Sequence, residues 1–175
     1  KEAQITSKQD ISDHIGKSKN YCFVDVGGGS TEVIIFKNAQ IFNLKSFKIG
    51  CVRLLDDSVN NKTWNKFESW LTENAKELKK LKIVGIGGNI NKIFKISGTK
   101  HSKPLGKKSF LKTLKKIESM SINERLTVLK LNPDRADVIV PAGKIYYFIL
   151  KTLKVKDIYV PKIGLADGMV NELIK

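Results

Sequence analysis

Two short apolar runs, Tyr21–Val26 and Thr31–Lys37, bracket a stretch without large side chains, Gly27-Gly28-Gly29-Ser30. β-Branched and aromatic residues on either side of a glycine turn predict two strands joined by a loop. A third strand is expected over Gln40–Ile49, after the turn that starts at Lys37. The first part of the chain therefore reads as an antiparallel meander. From Trp64 to Leu81 the period changes: Trp64, Phe67, Leu71, Ala75, Leu78 and Leu81 recur every three or four positions. That spacing predicts a helix whose apolar face covers the sheet. Lys82–Ile86 reads as a fourth strand, and Gly87–Ile96 turns from it directly into another helix whose first N–H groups can meet an anion.

Beyond a polar loop, Ser97–Gly106, an amphipathic helix is expected with Phe110, Leu111, Leu114 and Ile117 on one side. Lys107, Lys108, Lys112, Lys115 and Lys116 fall on the other. Ser121 and Glu124 have the spacing of a capping box at the start of a shorter helix. Arg135–Leu153 reads as mostly helical, with Pro141 either kinking it or starting its regular part, because proline removes one helix hydrogen bond. Asp157–Val160 is expected as a last strand, Leu165–Ile174 as a closing helix, and residues 1–19 as a polar helix end and loop. With 175 residues, 41% of them hydrophobic, the chain can bury one core as a single domain.

Apolar stretches such as Tyr146–Leu150 fall far short of a bilayer span, and the first ten residues lack an apolar signal core. A soluble cytoplasmic protein is expected. Cys22 and Cys51 are too few for a disulfide framework and lack zinc-site spacing, so they read as reduced thiols. The net charge of +15 draws anions: nucleic acid, acidic membrane or polyphosphate. Solvated, lysine-rich helix faces account for it equally well, since the excess lies in Lys76–Lys82 and Lys107–Lys116 at helical spacing. A nucleic-acid binder is disfavoured because the aromatics sit at core spacing and lysine greatly outnumbers arginine.

A two-residue hairpin needs only one or two glycines. Here three precede Ser30 and Thr31, with Asp25 entering the loop and Glu32 leaving it. The pattern suits a ligand-free hairpin or a loop whose N–H groups converge on a phosphate, with Asp25 beside a cation and Glu32 beside a water. It is neither a P-loop nor a dinucleotide loop, because no Lys-Ser/Thr follows and the next element is a strand.

A carboxylate-led glycine hairpin between antiparallel strands resembles the second phosphate loop of the actin, sugar kinase and heat-shock chaperone superfamily. Asp25–Val33, DVGGGSTEV, is similar to a signature of the exopolyphosphatase / guanosine pentaphosphate phosphohydrolase (Ppx/GppA) family. Ile49–Leu54, Gly85–Ile93, Asn132–Gly143 and Gly164–Met169 follow in that family's order. The resemblance implies an α/β fold: an actin-like ATPase (ribonuclease H-like) half-domain with a mixed sheet, an antiparallel three-stranded meander and flanking helices. Residues 1–175 would form one such subdomain, the second half of the catalytic unit, with the N-terminal half-domain and its Asp-x-Gly-Ser loop missing.

By the same resemblance Asp25 would be a Mg2+ ligand, and Gly27, Gly28, Gly29, Ser30 and Thr31 would bind the phosphoryl group. Glu32 would position the attacking water, and Glu2, thirty positions earlier, would be the general base, although Lys1 and Gln4 depart from the family pattern around it. Gly87, Gly88, Asn89 and Arg53 would add phosphate contacts; hydroxyls common in the family's second loop are absent here, and Ala166 stands where an arginine is frequent. Arg135 and Asp137 are expected to brace the long helix. The implied activity is release of terminal phosphate from inorganic polyphosphate or guanosine pentaphosphate. The implied partners are polyphosphate or guanosine penta/tetraphosphate and a second copy in a homodimer, with no membrane and no specific nucleic acid. The alternative is a non-catalytic sensor domain that binds polyphosphate or nucleotide.

Overall fold

The computed structural model describes residues 20–161. Glu2, the Gly164–Met169 segment and the expected closing helix lie outside the described residues. Strands β1 (Tyr21–Val26) and β2 (Thr31–Lys37) have the bounds their apolar runs predict. β3 (Gln40–Phe47) stops two residues short of Ile49, because the Ile49 N–H turns back to the Phe47 carbonyl at 2.7 Å. The chain then enters a helix that periodicity did not reveal, α1 (Cys51–Leu55).

The helix expected over Trp64–Leu81 is α2, Asn61–Ala75. It starts earlier because the Asn60 side chain accepts from the Thr63 N–H at 2.9 Å, the usual N-cap bond. It also ends earlier, although Leu78 and Leu81 still pack on the core. Next come β4 (Lys82–Ile86), α3 (Gly88–Ile96), a two-residue strand β5 (Leu105–Gly106) inside the expected loop, and α4 (Lys107–Glu118). α5 (Ile122–Thr127) carries the Ser121/Glu124 capping box. A short α6 (Pro133–Ala136) precedes α7 (Ile139–Thr152), and Pro141 lies in the first turn of α7, where its missing N–H breaks no helical bond. β6 (Asp157–Tyr159) completes the described elements.

The strands form one mixed sheet in the order β3-β2-β1-β4-β6-β5. β1 is its pivot, antiparallel to β2 and parallel to β4, and β6 runs parallel to β4. Alternation along the strands sends Cys22, Val24, Val26, Val33, Ile35 and Ile83 to one face, where α2, α3, α4 and α7 supply the main core. Phe23, Ile34, Phe36, Val84 and Ile86 point to the opposite face and form a second buried cluster. The fold class thus agrees with expectation: a mixed sheet, a three-stranded meander and packed helices. Among the described residues no helix is long and apolar enough to cross a membrane.

Candidate functional site

In open sheets of this kind, ligands bind beyond the carboxyl ends of the parallel strands. Here those ends are Val26 of β1 and Ile86 of β4, where both glycine segments begin. Pairing sets Asp25 directly opposite Glu32, Glu32 opposite Ser46, and Asp25 beside Ile86. Directly paired residues share a face, so Asp25, Glu32 and Ser46 form a polar row on the side of the sheet away from the main core. Below them a cavity of about 150 Å³ is walled by Phe23, Ile34 and Leu44. Glu32 Oε1 accepts hydrogen bonds from Ser30 Oγ at 2.6 Å and Ser46 Oγ at 2.8 Å, which hold the carboxylate in one orientation. Two carboxylates facing one another across a strand pair repel, and a cation between them relieves that repulsion.

The glycine loop is shaped from behind by α1. Cys51 N–H donates to the Gly27 carbonyl at 3.0 Å, Val52 N–H to the Gly28 carbonyl at 3.0 Å, and Arg53 Nε to the Gly29 carbonyl at 2.7 Å. In a trans peptide the next residue's N–H points opposite to the carbonyl. The N–H groups of Gly28, Gly29 and Ser30 are therefore turned away from α1, which packs on the core side, toward the face that carries Asp25 and Glu32. None of the three donates to another described residue. Successive backbone N–H groups turned the same way and left without a protein acceptor can receive an anion. A Cβ at Gly29 would meet nothing within 4 Å, whereas one at Gly28 would press on Val52 at 3.3 Å. Gly50 has the tightest fit, since a Cβ there would collide with the carbonyl group of Gly28.

The second glycine segment lies beside the first. Gly87, at φ +97°, caps α3, and a Cβ on it would fall 2.7 Å from Asp25 Oδ1. Asp25 thus rests against the start of α3, where the helix dipole favours negative charge. A Cβ on Gly88 would fall 2.6 Å from an Arg135 Nη atom, so that guanidinium covers the first turn of α3. Arg135 has no ion pair among the described residues. Positive charge accumulates here: burial, then Lys95 and Arg135, push the Lys92 ammonium pKa down. From the main-core side, the Tyr146 hydroxyl reaches the Ile86 carbonyl at 2.7 Å and the Val24 carbonyl at 3.3 Å, and it is buried beneath both strand ends.

Several expected contributions take a different form. Thr31 is fully buried and its hydroxyl donates to the Ile49 carbonyl at 2.6 Å, so its side chain braces the loop from behind. The Asn89 amide turns toward Cys51 Sγ at 3.9 Å, with its Oδ1 buried and unpartnered. Arg53 ties down the Gly29 carbonyl through Nε. Arg135, read from sequence as a brace, is brought to Gly88; Ser46, Gly50 and Tyr146 were not singled out. Strand alternation in β3 could have found Ser46. The others depend on contacts remote in sequence. Cys22 and Cys51 are free and buried; burial pushes the Cys22 thiol up to about 12 and also raises Cys51, so neither is a ready nucleophile.

A divalent cation fits this donor set in one way. Among the described residues no group of three or more His, Cys, Asp or Glu side chains converges, so no complete protein cage is present. Mg2+ commonly takes only one or two carboxylates and completes its shell with water and phosphate oxygens, and Asp25 with Glu32 matches that pattern.

Known structures share this architecture. A Ppx/GppA phosphatase from Aquifex aeolicus (type II variant) superposes with a TM-score of 0.69 at 21% identity, over 95% of this chain and 61% of that one. An exopolyphosphatase from Cytophaga hutchinsonii gives 0.65 at 20% identity, over 90% of this chain and 58% of its own. The fold is thus the actin-like ATPase fold of those proteins, and the chain spans about three fifths of their length. The family model described as Ppx/GppA phosphatase family matches residues 1–175, and the chain belongs to that family.

Proposed function

We propose that this chain forms one wall of a phosphoanhydride hydrolase cleft, which releases the terminal phosphate of inorganic polyphosphate or guanosine pentaphosphate. One observation carries the reading: α1 and Arg53 draw three successive carbonyls backward, so the N–H groups of Gly28, Gly29 and Ser30 face the Asp25/Glu32 side. This arrangement suits a terminal phosphoryl group. Preorganised donors stabilise charge without reorganising, usually the largest contribution to such catalysis.

In this reading Gly28, Gly29 and Ser30 hold phosphoryl oxygens, while Asp25, with Glu32 across the strand pair, would hold Mg2+. The bound ion supplies neutralising charge. Glu32, locked by Ser30 and Ser46, accepts a hydrogen bond from the attacking water and aligns it. Arg135 and the first turn of α3 add positive potential beside the leaving chain. Glu2 is proposed as the general base, on its register with Glu32 alone. This chain spans about three fifths of the matched structures, and the proposal assigns the opposite wall to a further half-domain, so the 175-residue chain alone is expected to release phosphate poorly. A cytoplasmic location accords with two free, reduced cysteines.

The deciding experiment measures phosphate release from long-chain polyphosphate and guanosine pentaphosphate by the full-length protein, with and without Mg2+. Asp25→Asn is expected to lower Mg2+-dependent release by at least ~10²-fold, the range typical of an essential site group. Unchanged release in that variant would refute the assignment. A second reading, a sensor that binds without turnover, draws support from Asn89, whose amide is turned away from the acids. Tight binding with no release by the full-length protein would favour it.

A further inference from the structure

At the opposite edge of the sheet, α4 begins and α7 ends beside the strand pair β5–β6, around a hollow of about 710 Å³. Lys107, Lys108, Lys151, Lys154 and Lys156 line it, over a floor that includes Leu111 and Val155. The ion pairs among the described residues are Lys37–Glu77 and Lys144–Glu118, so none of these five lysines is paired with a described acid. The hollow is also held in shape: Lys107 N–H donates to the Lys156 carbonyl at 2.8 Å, which fixes two of the lysines on adjoining backbone. Gly106, at its mouth, faces open space, since a Cβ there would meet nothing within 4 Å.

We propose that this hollow binds a chain of linked phosphates, at a second site distinct from the glycine loops. Five unpaired ammonium groups around one concavity repel each other, and a multiply charged anion lowers that repulsion at every one of them. The chemistry selects bare phosphate over nucleic acid. Lysine offers point charges without the planar fork that reads bases, and all five cations here are lysine. The neighbouring aromatic ring, Tyr147, is half-buried and has Lys107 Nζ 5.8 Å from its centroid, so it gives no platform for base stacking. A hollow lined by lysines from the start of α4, the end of α7 and the segment before β6 fits a flexible chain whose charges repeat at short intervals.

The choice of ligand rests on the proposed phosphate-releasing function; the site itself does not. Lys156 precedes β6 whereas the catalytic loops follow β1 and β4, so the two sites sit at opposite ends of parallel strands. A long polymer held in the hollow would remain attached between successive releases at the other end of the strands.

The test titrates tripolyphosphate and long-chain polyphosphate into the full-length protein without Mg2+, by calorimetry and amide chemical shifts. The variant combines Lys108→Gln, Lys151→Gln and Lys156→Gln, and a charge-matched control combines Lys62→Gln and Lys66→Gln on α2 with Lys76→Gln at its C-cap. The lysine variant is expected to bind the long chain about tenfold more weakly, and the control less than about twofold. Shifts on binding are expected at Gly106, Lys107 and Val155. Equal loss in both variants, or no shift at those residues, would overturn the proposal as bulk charge. Equally tight binding of an oligoribonucleotide of matched charge would overturn the assignment to bare phosphate. Binding lost in the variant while the full-length protein releases no phosphate removes the hydrolase reading and leaves the hollow standing. Retained binding beside Mg2+-dependent release does the reverse.

Discussion

Replacing Thr31 by valine separates two roles that the sequence alone merges. The side chain is fully buried, and its hydroxyl donates to the equally buried Ile49 carbonyl at 2.6 Å. Valine has nearly the same shape, so no cavity opens; what is lost is one short hydrogen bond, and the carbonyl is left without that donor. Stranding a buried acceptor costs about 1–3 kcal/mol. In a domain of this size that lowers Tm by roughly 2–4 °C per kcal/mol. Thr31→Ser keeps the hydroxyl and deletes one methyl group, worth about 0.8 kcal/mol. Urea and thermal unfolding should therefore rank wild type above Thr31→Ser and Thr31→Ser above Thr31→Val, while phosphate affinity stays within about twofold for both once folded. A Thr31→Val protein as stable as wild type but unable to hold phosphate would refute the reasoning and make Thr31 a ligand donor.

Two further outcomes follow from other parts of the structure. Gly50→Ala places a methyl group on the Gly28 carbonyl; overpacking of this kind costs about 1–3 kcal/mol, and because the obstruction is backbone the loop itself must shift, so phosphate release should fall at least ~10-fold. A Gly50→Ala protein with wild-type turnover would show that the loop is not seated by α1. The Ser121 backbone N–H and hydroxyl, in that order, lower the Glu124 carboxyl pKa, so the bonus for its charge is present above the ordinary carboxylate value and is lost as pH falls through the lower folded one. The stability gap between wild type and Glu124→Gln, followed by urea unfolding from about pH 6 to about pH 3, should shrink toward acid; a gap that widens would reverse the sign.

What could be read in advance depended on how local each feature is. β1, β2 and β4 were legible because glycine or turn residues interrupt their apolar runs at both ends or nearly so. α2 was shifted because Asn60 starts it before the first aromatic residue of the periodic series, and because Leu78 and Leu81 continue the spacing after the helix has ended. α1 and β5 span five and two residues, too few for any period to show. At the site, residue types were legible and their directions were not. Which way three peptide planes face depends on α1, and the placement of Arg135 on Gly88 joins segments that no local pattern connects. Thr31 illustrates the limit well, since a threonine at the end of a glycine loop reads the same whether its hydroxyl points to solvent or to a carbonyl.

Tyr146 has a consequence for where water can go. Its hydroxyl lies against the carbonyls of Val24 and Ile86, at the place where β1 and β4 part to release their glycine loops, and its ring beneath is 1% exposed. Strands that separate leave a seam, and this seam opens beside the proposed phosphate site. The phenol closes it like a cork: its polar end meets two buried carbonyls and its hydrocarbon body stays with Ile90 and Ile158 around Gly85. The seam is thus filled by side chain rather than left open to the core beneath.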